Sequence, residues 1–453
     1  MTLSLSCFAV WLAPSLLGQV PADHPKPPPP ALNMELELPE KVDTGTVVFH
    51  EREIRHLATF TPLPELPRSR SNRWADDPKA AHFGQFLFFD PRLSSTGEIS
   101  CASCHDPAKS WGDGKALGEG IGSLTRHTPG LWNVAYQRWF FWDGRADSLW
   151  AQALGPLEHP LEMGQSRVGL AHVLFQQADL RQAYESLFGS LPAMDEENRF
   201  PPHARPVSDA PDHPHHVAWL AMAAEDQKAV NRVFSNLGKA MEAFQRRIQS
   251  RNAPFDGFVA ALIQGRKEDF QLLSPSAQRG LKLFLGRGQC TLCHFGPNLS
   301  DGEFHNIGWT YRPGAGGVDW GREKALTLVE QDPFNGLGEY SDHRRRRANQ
   351  KLLYLRWDEH LVGAFKTPSL RHVTETAPYM HDGRFADLDA VLDFYSELPG
   401  APPIGHREES LQPLRLLDQE RADLKAFLES LRGQALDPAL EKPPSGPLPE
   451  AKS

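Results

Sequence analysis

The sequence predicts a mostly α protein in which one domain is repeated in tandem. Three observations predict it. The pentapeptide Cys-x-x-Cys-His occurs twice, as CASCH at 101–105 and as CTLCH at 290–294. The phrases that follow the two pentapeptides echo each other in order. Strand-like alternation is scarce, whereas helix-like stretches with capping residues recur.

At 453 residues the chain is long enough for two or three domains. With 40% apolar and 23% charged residues it has an ordinary soluble composition. A formal charge of −9 argues against a nucleic-acid partner and would suit a basic one. Of five cysteines, four belong to the pentapeptides. Two cysteines two apart, followed by histidine, form the attachment signature of a c-type haem: each thiol adds across a vinyl group and the imidazole binds the iron. Four cysteines are too sparse for a disulfide framework, and zinc gives no reason for a histidine after each second cysteine. The two copies therefore predict two covalent haem c groups, on Cys101, Cys104 and His105 and on Cys290, Cys293 and His294. The predicted fold is two tandem cytochrome c-type domains, each enclosing one haem.

Residues 1–22 carry no charged side chain and end in Val-Pro-Ala, which reads as a signal peptide cleaved after Ala22, although the usual early Lys or Arg is missing. The apolar part is too short to span a bilayer comfortably. Its removal takes Cys7 and leaves no cysteine outside the haem motifs, which fits an oxidising periplasm. Residues 23–75 read as a proline-rich extended leader.

The N-terminal domain is placed at 76–260 and the C-terminal domain at 261–433. The first opens with Asp77 as helix cap and Pro78 in the first turn; the second opens with Ser274 and Pro275. Both continue with a glycine (Gly84, Gly280) and then Leu-Phe (Leu87-Phe88, Leu283-Phe284). TPGLWNV at 128–134 is echoed by TPSLRHV at 367–373, and FWDGRADSL from Phe141 by MHDGRFADL from Met380. The same fifteen-residue spacing separates Thr128 from Asp143 and Thr367 from Asp382. This is a duplicated domain. The second copy carries about fifty extra residues, lying within 301–360, before its Thr-Pro. Each half closes in a helix-like stretch, AVNRVFSNLGKAMEAFQRRI and DQERADLKAFLESLRG. His203, His213, His215 and His216 read as a solvated polar loop, with a metal site as the alternative. HRRRR at 343–347 reads as an exposed docking or anion patch. Residues 434–453 read as a disordered tail.

A haem iron has two axial positions. A strong sixth ligand makes an electron carrier, whereas an open position admits peroxide or oxygen. Met380 precedes HDGR in the second repeat, and its counterpart in the first is Phe141. Methionine ligates and raises the potential; phenylalanine cannot ligate. Met380 is thus the expected distal ligand of the second haem, with His381 and Tyr379 as fallbacks.

Over roughly 76–432 these residues resemble the bacterial dihaem cytochrome c peroxidases and their MauG-type relatives. The motifs that carry the resemblance are LFFDPRLSSTGEISCASCHDP, FWDGR, QALGPLEHPLEM and KTPSLRHVTETAPYMHDGRF. It implies that the N-terminal haem is peroxidatic and the C-terminal haem receives electrons at high potential. Trp142 matches the tryptophan between the two haems. Gln152, Pro156 and Glu162 match the distal-pocket run, and Met380 matches the distal ligand. Peroxide must lose a proton from one oxygen and gain one on the other before its bond breaks, and a carboxylate within reach can do both. The resemblance casts Glu162 in that role. It also implies a calcium ion between the domains, held largely by backbone carbonyls, and admits a homodimer.

One departure bears on activation. The peroxidases place a blocking histidine upstream of Arg-Asn-x-Pro; here GEGIGSLTRHTP has none between Glu119 and Arg126, and His127 stands at the asparagine position, past the loop. The first haem is expected to be permanently open, as in the MauG branch, yet Met380 stands where MauG itself has a tyrosine. The expected function is a periplasmic peroxidase reducing hydrogen peroxide to water, with electrons from a small cytochrome c or copper protein. The alternatives are a MauG-like oxidase of a partner protein or metabolite, and a non-enzymatic dihaem electron-transfer cytochrome. Glu162 and Gln152 count against the last, because a mere carrier needs no acid–base group.

Overall fold

The first described element is a hairpin. In the computed structural model of the protein, which describes residues 37–312, 317–344 and 349–449, β1 (Lys41–Asp43) pairs antiparallel with β2 (Val48–His50), Val42 opposite Phe49. The chain then runs into α1 (Glu51–Leu57). The signal peptide expected at 1–22 lies outside the described residues, as does the start of the leader. From residue 41 on, the leader is folded, which corrects the extended reading of 23–75. Val42, Phe49, Ile54, Leu57 and Phe60 are buried in one core with Phe255, Phe258 and Phe427 of the C-terminal half. Burying a large apolar side chain is worth about 1.5–3 kcal/mol, so these anchors override the local proline content.

The N-terminal half begins with α2 (Pro78–Phe89), where the Asp77 carboxylate accepts from the backbone N–H groups of Lys79 and Ala80 and Pro78 occupies the first turn. The short α3 (Cys101–Cys104) carries the first pentapeptide. After it come α4 (Leu149–Glu158), α5 (Arg167–Gln176), α6 (Ala178–Phe188), α7 (Pro214–Ala221) and the long α8 (Ala224–Gln245). α8 crosses α2 at Gly84, where a Cβ would lie 1.8 Å from the Ala240 carbonyl oxygen.

The C-terminal half repeats this plan. It holds α9 (Pro254–Gln264), α10 (Pro275–Leu285), α11 (Arg322–Gln331), α12 (Gln350–Leu353), α13 (Leu388–Glu397) and α14 (Asp418–Glu429). The Ser274 hydroxyl caps α10 by accepting from Ala277 N–H. α14 crosses α10 at Gly280, where a Cβ would lie 1.9 Å from the Asp423 carbonyl oxygen. The glycines repeated in the sequence are therefore the two points where helix backbones touch. Sheet is limited to two-stranded ribbons among the described residues. In the C-terminal half, β3 (Phe304–His305) pairs antiparallel with β6 (Phe365–Lys366), and β4 (Tyr311–Arg312) with β5 (Gly317–Val318).

The insertion folds back onto the N-terminal half. Leu326, Val329, Leu352 and Leu355 bury Trp139. The Arg322 guanidinium donates to the carbonyls of Asp143 and Gly144, and lies 4.3 Å from the Trp139 ring and 4.2 Å from the Phe304 ring. Lys351 donates to the carbonyls of Arg138 and Asp147. His343 and Arg344 are exposed, while 345–347 of the basic run lie outside the described residues.

The tail is ordered as far as residue 449, which corrects the reading of 434–453 as disordered; the last four residues lie outside the described ones. Leu436 and Leu440 sink into the N-terminal core. Gln85 Nε2 donates to the carbonyls of Ala439 (2.7 Å) and Lys442 (2.8 Å), satisfying acceptors that a proline-rich stretch cannot satisfy by itself. In the histidine-rich loop, His213 Nδ1 accepts from His215 N–H and caps α7, and His216 Nδ1 accepts from Val207 N–H.

Candidate functional site

Both pentapeptide histidines are held in the same way. His105 N–H donates to the Cys101 carbonyl at 2.8 Å and its Nδ1–H to the Trp111 carbonyl at 3.0 Å. His294 N–H donates to the Cys290 carbonyl at 2.8 Å and its Nδ1–H to the Leu299 carbonyl at 2.9 Å. Trp111 (φ 64) and Leu299 (φ 46) both take the left-handed conformation, which turns each carbonyl back onto its imidazole. Fixing the proton on Nδ1 leaves the Nε2 lone pair for a metal. Burial keeps both imidazoles below their ordinary pKa, hence neutral.

His105 and His294 line one continuous cavity of about 910 Å³, together with Cys104, Cys290 and Cys293. None of the four motif cysteines is in a disulfide. Burial pushes the thiols of Cys101 and Cys290 up to about 12 and that of Cys104 up to about 11, so they remain thiols at neutral pH. Each half offers two thiols and a neutral imidazole at a large and mainly apolar cavity, all on its wall except Cys101, which lies on α3 with Cys104, and this set fits two covalent haem groups.

The next turn is also duplicated. Phe141 (φ 65) and Met380 (φ 73) both have left-handed backbones, each followed by a left-handed glycine, Gly144 (φ 71) and Gly383 (φ 60). Matching bridges flank them, Phe140 with Ala146 and Tyr379 with Phe385. One turn thus presents phenylalanine to the cavity in the first half and methionine in the second. Both fallback residues line the cavity as well, the Tyr379 hydroxyl engaged by a hydrogen bond and the His381 ring held by stacking. Tyr379 donates its hydroxyl to the Val373 carbonyl at 2.9 Å, and His381 stacks on Phe365 at 3.6 Å, its pKa lowered by burial to about 4.

Gln152, Pro156 and Glu162 line the same cavity as His105. Gln152 and Pro156 ride on α4, whose cap is the Ser148 hydroxyl accepting from Ala151 N–H. Glu162 follows the helix and is gripped through its main chain. Ile121 N–H donates to the Glu162 carbonyl at 3.0 Å and Gly122 N–H to the Leu161 carbonyl at 3.0 Å. A Cβ on Gly120 would lie 2.6 Å from Glu162 Cα, so that position requires glycine. Burial raises the Glu162 pKa above the ordinary carboxylate value, with Arg145 pulling the other way. His159 Nδ1 stands 3.6 Å from Glu162 Oε1, too far for a hydrogen bond. The site therefore holds a half-buried carboxyl with a raised proton affinity.

Trp142 sits at the seam between the halves. Its Nε1–H donates to the His127 carbonyl at 2.8 Å, and its own carbonyl accepts from Lys366 N–H at 2.8 Å. His127 N–H in turn donates to the His381 carbonyl at 2.8 Å. The His127 ring is spent on the Lys115 carbonyl, 2.8 Å from Nδ1. The loop from Glu119 to Arg126, which has no histidine, ends in a clamp. Arg126 forks onto Asp319 of the insertion (2.9 and 2.8 Å) and also pairs with Asp143 at 2.6 Å.

The site residues singled out in the sequence, Cys101 excepted, thus line one cavity, but three others were missed. Arg126 ties the loop to the insertion. Arg145 lies 3.5 Å over the Phe141 ring while pairing with Asp143. Lys366 is buried on the cavity wall. The repeated Asp-Gly-Arg was the available signal for Arg145, since Arg384 lies in the same way 3.5 Å over Trp309. Cys293, Asp301 and His305 come close enough to hold a metal ion. Both ring nitrogens of His305 are nevertheless occupied, by Asp301 (2.8 Å) and Glu408 (2.7 Å), and a thioether-linked Cys293 offers no thiolate.

Comparison with known proteins shows the family. Residues 78–263 match the family described as di-haem cytochrome c peroxidase. The methylamine utilization protein MauG of Methylorubrum extorquens is 31% identical over 86% of this chain and 88% of its own. The cytochrome-c peroxidase IdrP2 of a Pseudomonas species is 32% identical over 82% of this chain and 86% of its own. Among solved structures, the diheme peroxidase BthA of Burkholderia thailandensis shares the fold with a TM-score of 0.55 at 23% identity, covering 83% of this chain and 90% of that one. Two haem-attachment motifs on a duplicated helical domain, and similarity along most of the length of such relatives, make the chain a member of the di-haem cytochrome c peroxidase family, an oxidoreductase with two haem c cofactors.

Proposed function

We propose that the chain is a periplasmic dihaem peroxidase that reduces hydrogen peroxide to water. Electrons enter at the haem held by His294 and Met380 and pass through Trp142 to the haem held by His105. The observation that carries this reading is Glu162, a carboxyl with a raised pKa on the wall of the cavity that His105 lines, on the half where Phe141 replaces the methionine. The division into two haem domains, read from the sequence as 76–260 and 261–433, belongs to the same reading, with the boundary moved ahead of α9, whose Phe255 and Phe258 pack in the C-terminal core. So do a small cytochrome c or copper protein as electron donor and a calcium ion between the halves.

The haems, when bound, supply the one-electron redox chemistry. The chain's own residues supply the rest. Phe141 has no donor atom, so it leaves the space above His105 to substrate. Glu162, as carboxylate, takes the proton from one peroxide oxygen and returns it to the other as the O–O bond breaks. Gln152 offers an amide that can donate to one oxygen and accept from the other. Two electrons and two further protons complete the conversion to two waters.

The loop from Glu119 to Arg126 favours a second reading, a MauG-like oxidase acting on a partner protein or metabolite, because it lacks the histidine that would close the site. A steady-state assay with peroxide and reduced cytochrome c separates the two. Turnover that consumes two cytochrome equivalents per peroxide supports the peroxidase. Peroxide consumption without cytochrome oxidation overturns it in favour of the oxidase.

A further inference from the structure

Lys366 is a buried cation that the reaction above does not use. It lies on β6 with 8% of its surface exposed. Its Nζ donates to Gln137 Oε1 at 2.7 Å, and both residues line the cavity. Burial pulls the ammonium down to about 8, and Asp301 is the acid that opposes the shift. Asp301, however, is already bonded to His305 at 2.8 Å. An ammonium has three N–H donors and one amide oxygen satisfies one of them. Burying such a group is expensive unless an anion shares the site. The cavity contains another unspent donor, the fully buried Thr310 hydroxyl, which has no partner among the described residues.

Two features say which ligand carboxylate belongs there. β6 pairs with β3, Phe304 opposite Lys366, and Thr367 N–H donates to the Glu303 carbonyl at 3.0 Å, so the lysine's strand is paired to the segment that follows His294. In the first half the residue before Thr-Pro is His127, a neutral imidazole tied to the Lys115 carbonyl. The cation is present in one repeat and absent from the other. We propose that Lys366, seated on Gln137, binds a propionate carboxylate of the haem carried by His294 and raises that haem's reduction potential. The inference rests on the two-haem reading. A positive charge beside the haem favours the reduced iron, so Lys366 acts in the same direction as methionine ligation at Met380. Because Lys366 N–H is bonded to the Trp142 carbonyl, the same residue fixes the distance between this anion seat and the relay tryptophan.

The experiment uses purified holoprotein carrying Lys366→Met or Lys366→Arg. Intact mass counts the haems, a spectroelectrochemical titration reads each potential, and resonance Raman reads the propionate-bending mode. With both haems attached, Lys366→Met should lower the potential of the His294 haem and shift its propionate band, while Lys366→Arg should preserve both. An unchanged band and potential in Lys366→Met, or a shift confined to the His105 haem, overturns the proposal. If Lys366→Met does not accumulate, Gln137→Leu, which unseats the cation, should shift the same band; an unchanged band there also overturns it. Wild-type protein with fewer than two haem masses would overturn the two-haem reading itself, and this inference with it.

Discussion

Replacing Glu162 with glutamine tests the chemistry with the least disturbance to the fold. Glutamine keeps the shape of the side chain but cannot shuttle a proton as a carboxyl does. A general acid–base group contributes about 10²–10⁴-fold to rate, which is about 3–5 kcal/mol of barrier at ~1.4 kcal/mol per tenfold. The structure favours the middle of that range or above. Burial raises the proton affinity of Glu162, and no ion pair at hydrogen-bonding distance fixes its charge. A loss of about 10³-fold in the peroxide step is expected. Stability should barely move, because the fold holds residue 162 through its carbonyl and the Gly120 contact, which the substitution preserves. The assay is rapid mixing of oxidised protein with peroxide, without prior reduction, across a pH series. Since a raised pKa leaves part of the population protonated at mildly acidic pH, the wild-type rate should fall as pH drops through it, and the Glu162→Gln protein should lack that limb. A rate within about threefold of wild type at full haem content would refute the role. A resting protein that reacts only after reduction would refute the open first site.

Met380→Leu should abolish any methionine-to-iron charge-transfer band and lower the potential of the second haem; an unchanged spectrum would mean another residue ligates. Trp142→Phe removes the bond to the His127 carbonyl and should slow electron transfer between the haems more than peroxide binding, as read by flash reduction. Unaltered turnover with the external donor would count against the relay. Gly280→Ala drives a Cβ to 1.9 Å from a backbone oxygen, so the crossing of α10 and α14 must open. Overpacking of this kind costs about 1–3 kcal/mol, more than the ~1 kcal/mol of helix propensity gained. Thermal unfolding should move down, and a raised Tm would show that the helices separate freely.

The duplicated domain was legible in the sequence because its repeated residues meet demands that few side chains satisfy. Gly84 and Gly280 stand where two helix backbones touch, and the Cys-x-x-Cys-His motifs carry covalent chemistry. What was not legible depends on where a segment lands, which composition does not encode. The leader and the tail are both proline-rich, yet the leader packs Phe49 and Phe60 onto the C-terminal core while the tail packs Leu436 and Leu440 onto the N-terminal core. One charged stretch of the insertion, HRRRR, reads as exposed from the sequence, which carries no signal for Arg322. Arg322 is nonetheless buried, because a flat guanidinium can lie against Trp139 and Phe304 and still donate to two carbonyls. Duplication supplies the remaining leverage. Where two copies share a backbone turn, left-handed at both Phe141 and Met380, the fold cannot explain why the side chains differ. The difference is where the proposed chemistry can act. At the turn it separates a position without a donor atom from one with a thioether. One residue before each Thr-Pro it separates the neutral His127 from the cationic Lys366. Under the proposed reading both differences act the same way, toward a high-potential second haem that receives electrons and a first haem left open to peroxide.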